Sequence, residues 1–202
     1  EDEDGTALEK RVIESSLRMV SGKSRDLVLR VFWFFEIFQE DVAVPIGFFM
    51  KMAGFLVAST SPQKAMSEPK ARLAVGSALG TLLKCNLIQG SLTPGDSGLY
   101  MHDIVRDYVR NSSSRHRDSG SSSSELARRT LQRSVVDIVL AARPEPNGFV
   151  NCQYVDAGSF EGYVARHLFW HMRGALAEGE EPPDEWITHE DTTIRGNAAT
   201  AV

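Results

Sequence analysis

Cys85-Asn86-Leu87-Ile88 and Leu99-Tyr100-Met101 are two short apolar runs on either side of Pro94-Gly95-Asp96. Proline, glycine and aspartate in succession are strong turn chemistry. Together the three segments predict a β-hairpin, one strand over 85–88 and its mate over 99–101. Behind it, the stretch from His102 to Arg110 sets Ile104, Val105, Tyr108 and Val109 on one helical stripe. A helix therefore follows the hairpin with no intervening loop.

Ahead of the hairpin the chain reads as helices. Ala71 to Lys84 carries Leu73, Val75, Leu79, Leu82 and Leu83. A polar loop from Ser59 to Pro69, with two prolines, precedes it. Pro45 suits the first turn of a further helix bearing Ile46, Phe49, Met50, Ala53 and Phe55. Val42-Ala43-Val44 should be extended, as the residue before a proline is. Leu27, Val28, Val31, Phe32, Phe35 and Phe38 form a stripe that Leu29, Trp33 and Phe34 broaden, so this helix, capped by Asp26, is buried. The first helix is expected to begin at Thr6, with Glu9 completing a capping box, and to end at Ser21-Gly22. Its stripe is Leu8, Val12, Ile13, Leu17 and Val20.

Three or four helices and then a hairpin make a winged helix, a helix-turn-helix variant with a wing. The expected fold is mainly α, with the winged helix over 6–111. Residues 112–124 are rich in serine and read as a flexible linker. A helical arm is expected over 125–178. One helix there runs from Glu125 to Ala142 until Pro144, Pro146 and Gly148 break it. A second lies within 158–177, with Tyr163, Leu168, Met172 and either Trp170 or His171 along it. Residues 179–202 read as a loose acidic tail.

Composition narrows the class. The 202 residues are 42% hydrophobic and 24% charged, ordinary values for a globular chain. The net charge of −5 argues against a nucleic-acid partner, which needs clustered Lys and Arg. Cys85 and Cys152 lie far apart with no CxxC spacing, which favours a reducing compartment. No apolar run approaches the roughly 20 residues of a membrane span. Glu1-Asp2-Glu3-Asp4 is the opposite of a basic signal peptide, and the missing initiator Met predicts a segment of a longer, cytoplasmic chain.

His102 is the residue with the most chemistry. It stands where a strand gives way to a helix. There a neutral imidazole can donate a hydrogen bond to an anionic oxygen. Free N–H groups and the helix dipole favour a phosphate at the same place. Asp103 can accept first-turn N–H groups and fix the turn, while Met101 packs inward. The bland alternative is a simple helix cap, and the residues alone leave both open.

Two segments resemble the winged-helix domain of NB-ARC signalling NTPases, a group that includes plant disease-resistance receptors and the animal apoptotic protease-activating factor. The first is Leu29-Arg30-Val31-Phe32-Trp33-Phe34-Phe35-Glu36-Ile37-Phe38-Gln39-Glu40-Asp41-Val42-Ala43-Val44-Pro45. It is similar to the family's apolar helix, Phe, acidic pair and aliphatic-x-aliphatic-Pro. The second, Leu99-Tyr100-Met101-His102-Asp103-Ile104-Val105-Arg106-Asp107-Tyr108, resembles the Met-His-Asp motif with its following helix. The likeness covers about Thr6 to Asn111. A weaker echo over Tyr163-Val164-Ala165-Arg166-His167-Leu168-Phe169-Trp170-His171 is similar to the arm that joins this module to repeat domains. The serine-rich linker departs from the pattern.

The resemblance implies an ADP-sensing regulatory module, with His102 on the β-phosphate and Met101 and Asp103 as its supports. ADP or ATP would be held mainly by a nucleotide-binding domain outside this chain. That domain is the implied partner, with a downstream repeat domain and a homo-oligomer on activation. No nucleic-acid or membrane partner is implied.

Other signals carry less. Ser21-Gly22-Lys23-Ser24 ends like a phosphate-binding loop, but Leu17 stands where the motif needs Gly. Without that loop or acids for magnesium, the chain itself is not expected to be an enzyme. His167 and His171 are four apart, yet Leu168 stands where a zincin helix has Glu, so no metal site is expected. A DNA-reading winged helix would use Ala71 to Lys84, which offers only Arg72 and Lys84, with Lys70 just before it. A DNA-binding regulator and a protein-interaction scaffold without a nucleotide role are the alternative readings.

Overall fold

A computed structural model of the protein describes residues 3–22, 24–58, 66–116, 121–141, 158–183 and 186. The fold is mainly helical, with one small antiparallel sheet. The elements are α1 (Glu3–Met19), α2 (Arg25–Phe34), a 3-10 turn (Phe35–Ile37), α3 (Ile46–Lys51), α4 (Ala53–Ala58), α5 (Glu68–Lys84), β1 (Gln89–Gly90), β2 (Leu99–Tyr100), α6 (Asp103–His116), α7 (Ser121–Ala141) and α8 (Phe160–Ala175). No helix among the described residues is long and apolar enough to cross a membrane.

The hairpin forms, but its first strand lies further along than expected. Cys85 to Ile88 is a helix terminus, and β1 is Gln89–Gly90. The cause is Asn86, which takes φ 54°. Its N–H bonds Leu83 O, and Leu87 N–H reaches back to Leu82 O. This pair of bonds is a Schellman ending, with Leu82 and Leu87 buried together beside it. Asn tolerates the left-handed conformation, so it can end α5 where a strand run was expected.

β1 and β2 pair with Gln89 opposite Tyr100 and Gly90 opposite Leu99. Val44 adds a bridge on the other side of Leu99, with both N–H···O distances 2.8 Å. The segment before Pro45 is thus extended, as expected. Gly98 makes this three-way approach possible. It sits at φ 90°, and a Cβ there would lie 2.6 Å from Val44 O. Gly98→Ala is therefore expected to cost about 2 kcal/mol, from the left-handed backbone and the clash together. Urea unfolding measures it, and a loss under 0.5 kcal/mol on the order of a neutral surface change would show the contact to be soft.

Several helix boundaries also shift. α1 begins at Glu3, so Thr6 lies inside the helix and does not cap it. Ser24, not Asp26, is the N-cap of α2. The helix expected over 45–55 breaks at Met52 into α3 and α4. α5 starts three residues early, with Pro69 in its first turn, where a missing N–H costs nothing.

The largest corrections lie downstream. The segment 112–124, expected to be a linker, is helical up to His116 and again from Ser121, and 117–120 lie outside the described residues. Serine costs only a fraction of a kcal/mol per helical position, and strong neighbours on either side outweigh that. The arm does not stand apart either. Val135, Val136, Tyr163, Leu168 and Met172 belong to the same buried cluster as Phe32, Phe34 and Phe48. The tail expected over 179–202 is anchored at its start. Glu180 meets Arg133 at 3.3 Å, and Trp186 is buried beneath the same guanidinium. Residues 187–202, Cys152, and the breakers Pro144, Pro146 and Gly148 lie outside the described residues.

Phe34, Phe38, Phe48 and Phe49 form the centre of the core, with ring centroids 5.4–6.5 Å apart and mostly edge-on. Such geometry sets positive ring edges against negative faces. Tyr163 and His171 of α8 close the cluster, Tyr163 at 4.9 Å from Phe48.

Candidate functional site

Strand alternation sets the orientation of His102. Leu99 faces in, Tyr100 is 39% exposed, Met101 is buried again, and His102 is exposed. Side chains alternate with period two along a strand, so His102 inherits the outward phase. Tyr100 stiffens this edge by donating its hydroxyl to Gln89 Oε1 at 2.8 Å. The His102 carbonyl accepts from Arg106 N–H at 2.9 Å, which makes His102 the residue that opens α6. The N–H groups of Asp103, Ile104 and Val105 then form the free first turn.

Asp103 behaves differently from the expectation. It is exposed, and no N–H among the described residues bonds to its carboxylate. It acts instead as a charge, favouring the protonated form of Arg106 one turn on. Position explains this. Asp103 is the first helical residue, and a side chain there points away from the N–H groups that a cap one residue earlier could reach.

Sequence reasoning did not single out Arg106. Its side chain is 2% exposed, and Nε and Nη1 have no hydrogen-bond partner among the described residues. Burial lowers its pKa, and Arg110 adds to that, while Glu40, Asp103 and Asp41 oppose it. A buried guanidinium thus lies one turn beneath His102, facing the Glu40-Asp41 bend, where Asp41 holds φ 56°. The signal in the sequence was slight, an Arg between Val105 and Val109 on a helix that also carries Asp103, Asp107 and Arg110.

The second polar constellation lies between α7, α8 and the 3-10 turn. Gln132 Nε2 donates to Ile37 O at 2.9 Å, and Trp170 Nε1 donates to the same oxygen at 3.0 Å. Gln132 Oε1 therefore faces His171 Nδ1, 2.5 Å away. Nδ1 must carry the proton, which leaves Nε2 to accept the Tyr163 hydroxyl at 2.9 Å. Burial pulls the His171 pKa down to about 3, with His167 adding to it, and raises that of Tyr163. Gly174 gives Gln132 its room, since a Cβ there would stand 2.9 Å from Nε2. Both ring nitrogens of His171 are occupied, so the His167–His171 spacing reflects packing. His167 lies against the Tyr163 ring at 4.8 Å.

No family model matches the chain, and neither a curated protein nor a solved structure matches it.

Proposed function

We propose that this chain is a winged-helix regulatory module that reads the nucleotide state of a neighbouring NTPase domain through His102. In this reading α1–α6 and the hairpin are the winged helix, and the later helices brace it. The observation that carries the proposal is an exposed imidazole at the opening of α6, set outward by a strand whose alternate residues are buried. First-turn N–H groups and a ring N–H suit the terminal phosphate of ADP. The motif resemblance in 99–108 supplies the ligand class. Met101 anchors the strand end, and Asp103 and Arg106 set the local field. The neighbouring domain would contribute most of the pocket, in a cytoplasmic setting.

The module works as a two-state element. ADP favours the docked state through the His102 contact, and its loss frees the module to move. One charge-assisted hydrogen bond is worth about 1.5–3 kcal/mol, which shifts such an equilibrium about tenfold to a hundredfold. The test uses the full-length protein with ADP bound. His102→Ala is expected to speed ADP release about tenfold or more, and Asp103→Val to shift the protein toward its active state. Neither exposed residue should change stability by more than about 0.5 kcal/mol. Unaltered ADP retention in both variants would refute the sensor.

Two alternatives have less support. α5 exposes Arg72, but its guanidinium is engaged by Glu68, which leaves little for a DNA phosphate. A scaffold without nucleotide would give His102→Ala no effect on ADP release.

A further inference from the structure

A cleft of about 540 Å³ opens between α1, α2 and α6, on residues that the nucleotide reading does not use. Leu17 and Leu29 form its apolar floor. One wall is aromatic. Trp33 and Tyr108 stack there with centroids 6.3 Å apart and planes 22° from parallel. Both rings are only half-buried, so each keeps surface toward the opening. Tyr108 is held by Ser112, and burial raises its pKa, so the phenol is neutral at pH 7.

The rim carries charge. Arg18 comes from α1 and Arg25 from the start of α2. Glu14 is the one acidic lining residue. It is already engaged, 4.0 Å from Arg18 and 3.8 Å from Lys10. Arg25 is exposed and makes no ion pair with any described residue. Asp26, next to Arg25 in the chain, interacts with Arg30 one turn on. Two lining cations against one lining anion leave the cleft positive, in a chain whose net charge is −5.

We propose that this cleft binds a small organic anion with a flat aromatic body. Arg25 takes the acid group, with Arg18, which also pairs with Glu14, beside it, and a guanidinium suits carboxylate, sulfonate or phosphate alike. The Trp33–Tyr108 wall and the leucine floor take the ring. The volume falls within the range of about 300–1,000 Å³ that such sites occupy. Apolar lining with a few convergent polar groups is the usual design of a small-ligand pocket. Because α6 carries Tyr108 in this cleft and His102 at its start, an occupant here sits on the helix that opens the proposed phosphate contact. The cleft itself does not depend on that contact.

The test titrates the chain with naphthalene-1-sulfonate and, in parallel, with uncharged naphthalene-1-sulfonamide. Amide and indole N–H resonances report the position. Saturable shifts are expected at the Trp33 indole and around Leu17, Leu29 and Tyr108, with the sulfonate binding at least about tenfold tighter than the sulfonamide. The R18A/R25A double variant should lose that preference while keeping its helical spectrum, since both side chains are exposed. Added salt should weaken the sulfonate alone. Equal binding of the two probes, unchanged affinity in the double variant, shifts confined to other surfaces, or no saturation by millimolar probe would each overturn the proposal. None of these outcomes touches ADP retention, so the two readings fail separately.

Discussion

Phe48→Ala is expected to lower the unfolding free energy by about 3–5 kcal/mol, the usual range for deleting a buried phenyl ring. Phe48 has no exposed surface. Its ring meets Phe38 at 5.5 Å, Phe160 at 6.1 Å and Tyr163 at 4.9 Å, and it lies nearly parallel to His171. The loss therefore falls on α3, α8 and the end of the 3-10 turn together. Neighbouring rings are too rigid to fill the space, so the cavity term is added to the transfer term. Urea unfolding followed by near-ultraviolet circular dichroism gives the number. A single transition at lower urea is expected, because one core spans both halves of the chain. Separate transitions for the two halves, or a loss under about 1 kcal/mol, would mean that α8 is not part of that core.

The second large effect concerns acid. His171 has its pKa depressed from 6.5 in the unfolded chain to about 3 in the fold. The unfolded state then binds the proton first. The contribution of neutral His171 is complete above pH 6.5 and is lost as pH falls from 6.5 towards 3. Each pH unit in that window removes about 1.4 kcal/mol, so roughly 2 kcal/mol is gone by pH 5. His167, also shifted down by burial, adds in the same direction. Urea midpoints at pH 7, 6 and 5 should trace this slope. His171→Phe should start lower, because it leaves the Tyr163 hydroxyl and Gln132 Oε1 without a partner, yet show a much shallower decline. A variant slope equal to that of the native protein would assign the acid sensitivity to other groups.

The sequence made local features legible. The turn at 94–96, the extended residues before Pro45, and the stripe of α2 follow from short-range rules of period and steric preference, whereas Leu73 of α5 and Ile104 of α6, expected on the apolar stripes, are exposed. The outward phase of His102 follows from alternation once β2 is placed. What could not be read was anything set by a distant partner. No periodicity shows that Ile37 O would accept both Gln132 and Trp170. Arg106 looked like one more charged residue on a helix until its burial was known. The serine run was judged by composition, while its helical state is decided by what flanks it. Asn86 was a missed local signal, since an Asn just beyond the C-cap of an amphipathic helix often marks its end.

One oxygen has a consequence for how the chain is made. Ile37 is separated from Gln132 by 95 residues and from Trp170 by 133. Translation at about 5–20 residues per second leaves about 7–27 s between the first of these residues and the last. For most of that interval Phe38 and Phe48 have been made, and the helix that covers them has not. Nascent chains of this protein should thus carry a sticky aromatic surface, suited to a holding chaperone. Products stopped short of residue 160 should be the ones that precipitate.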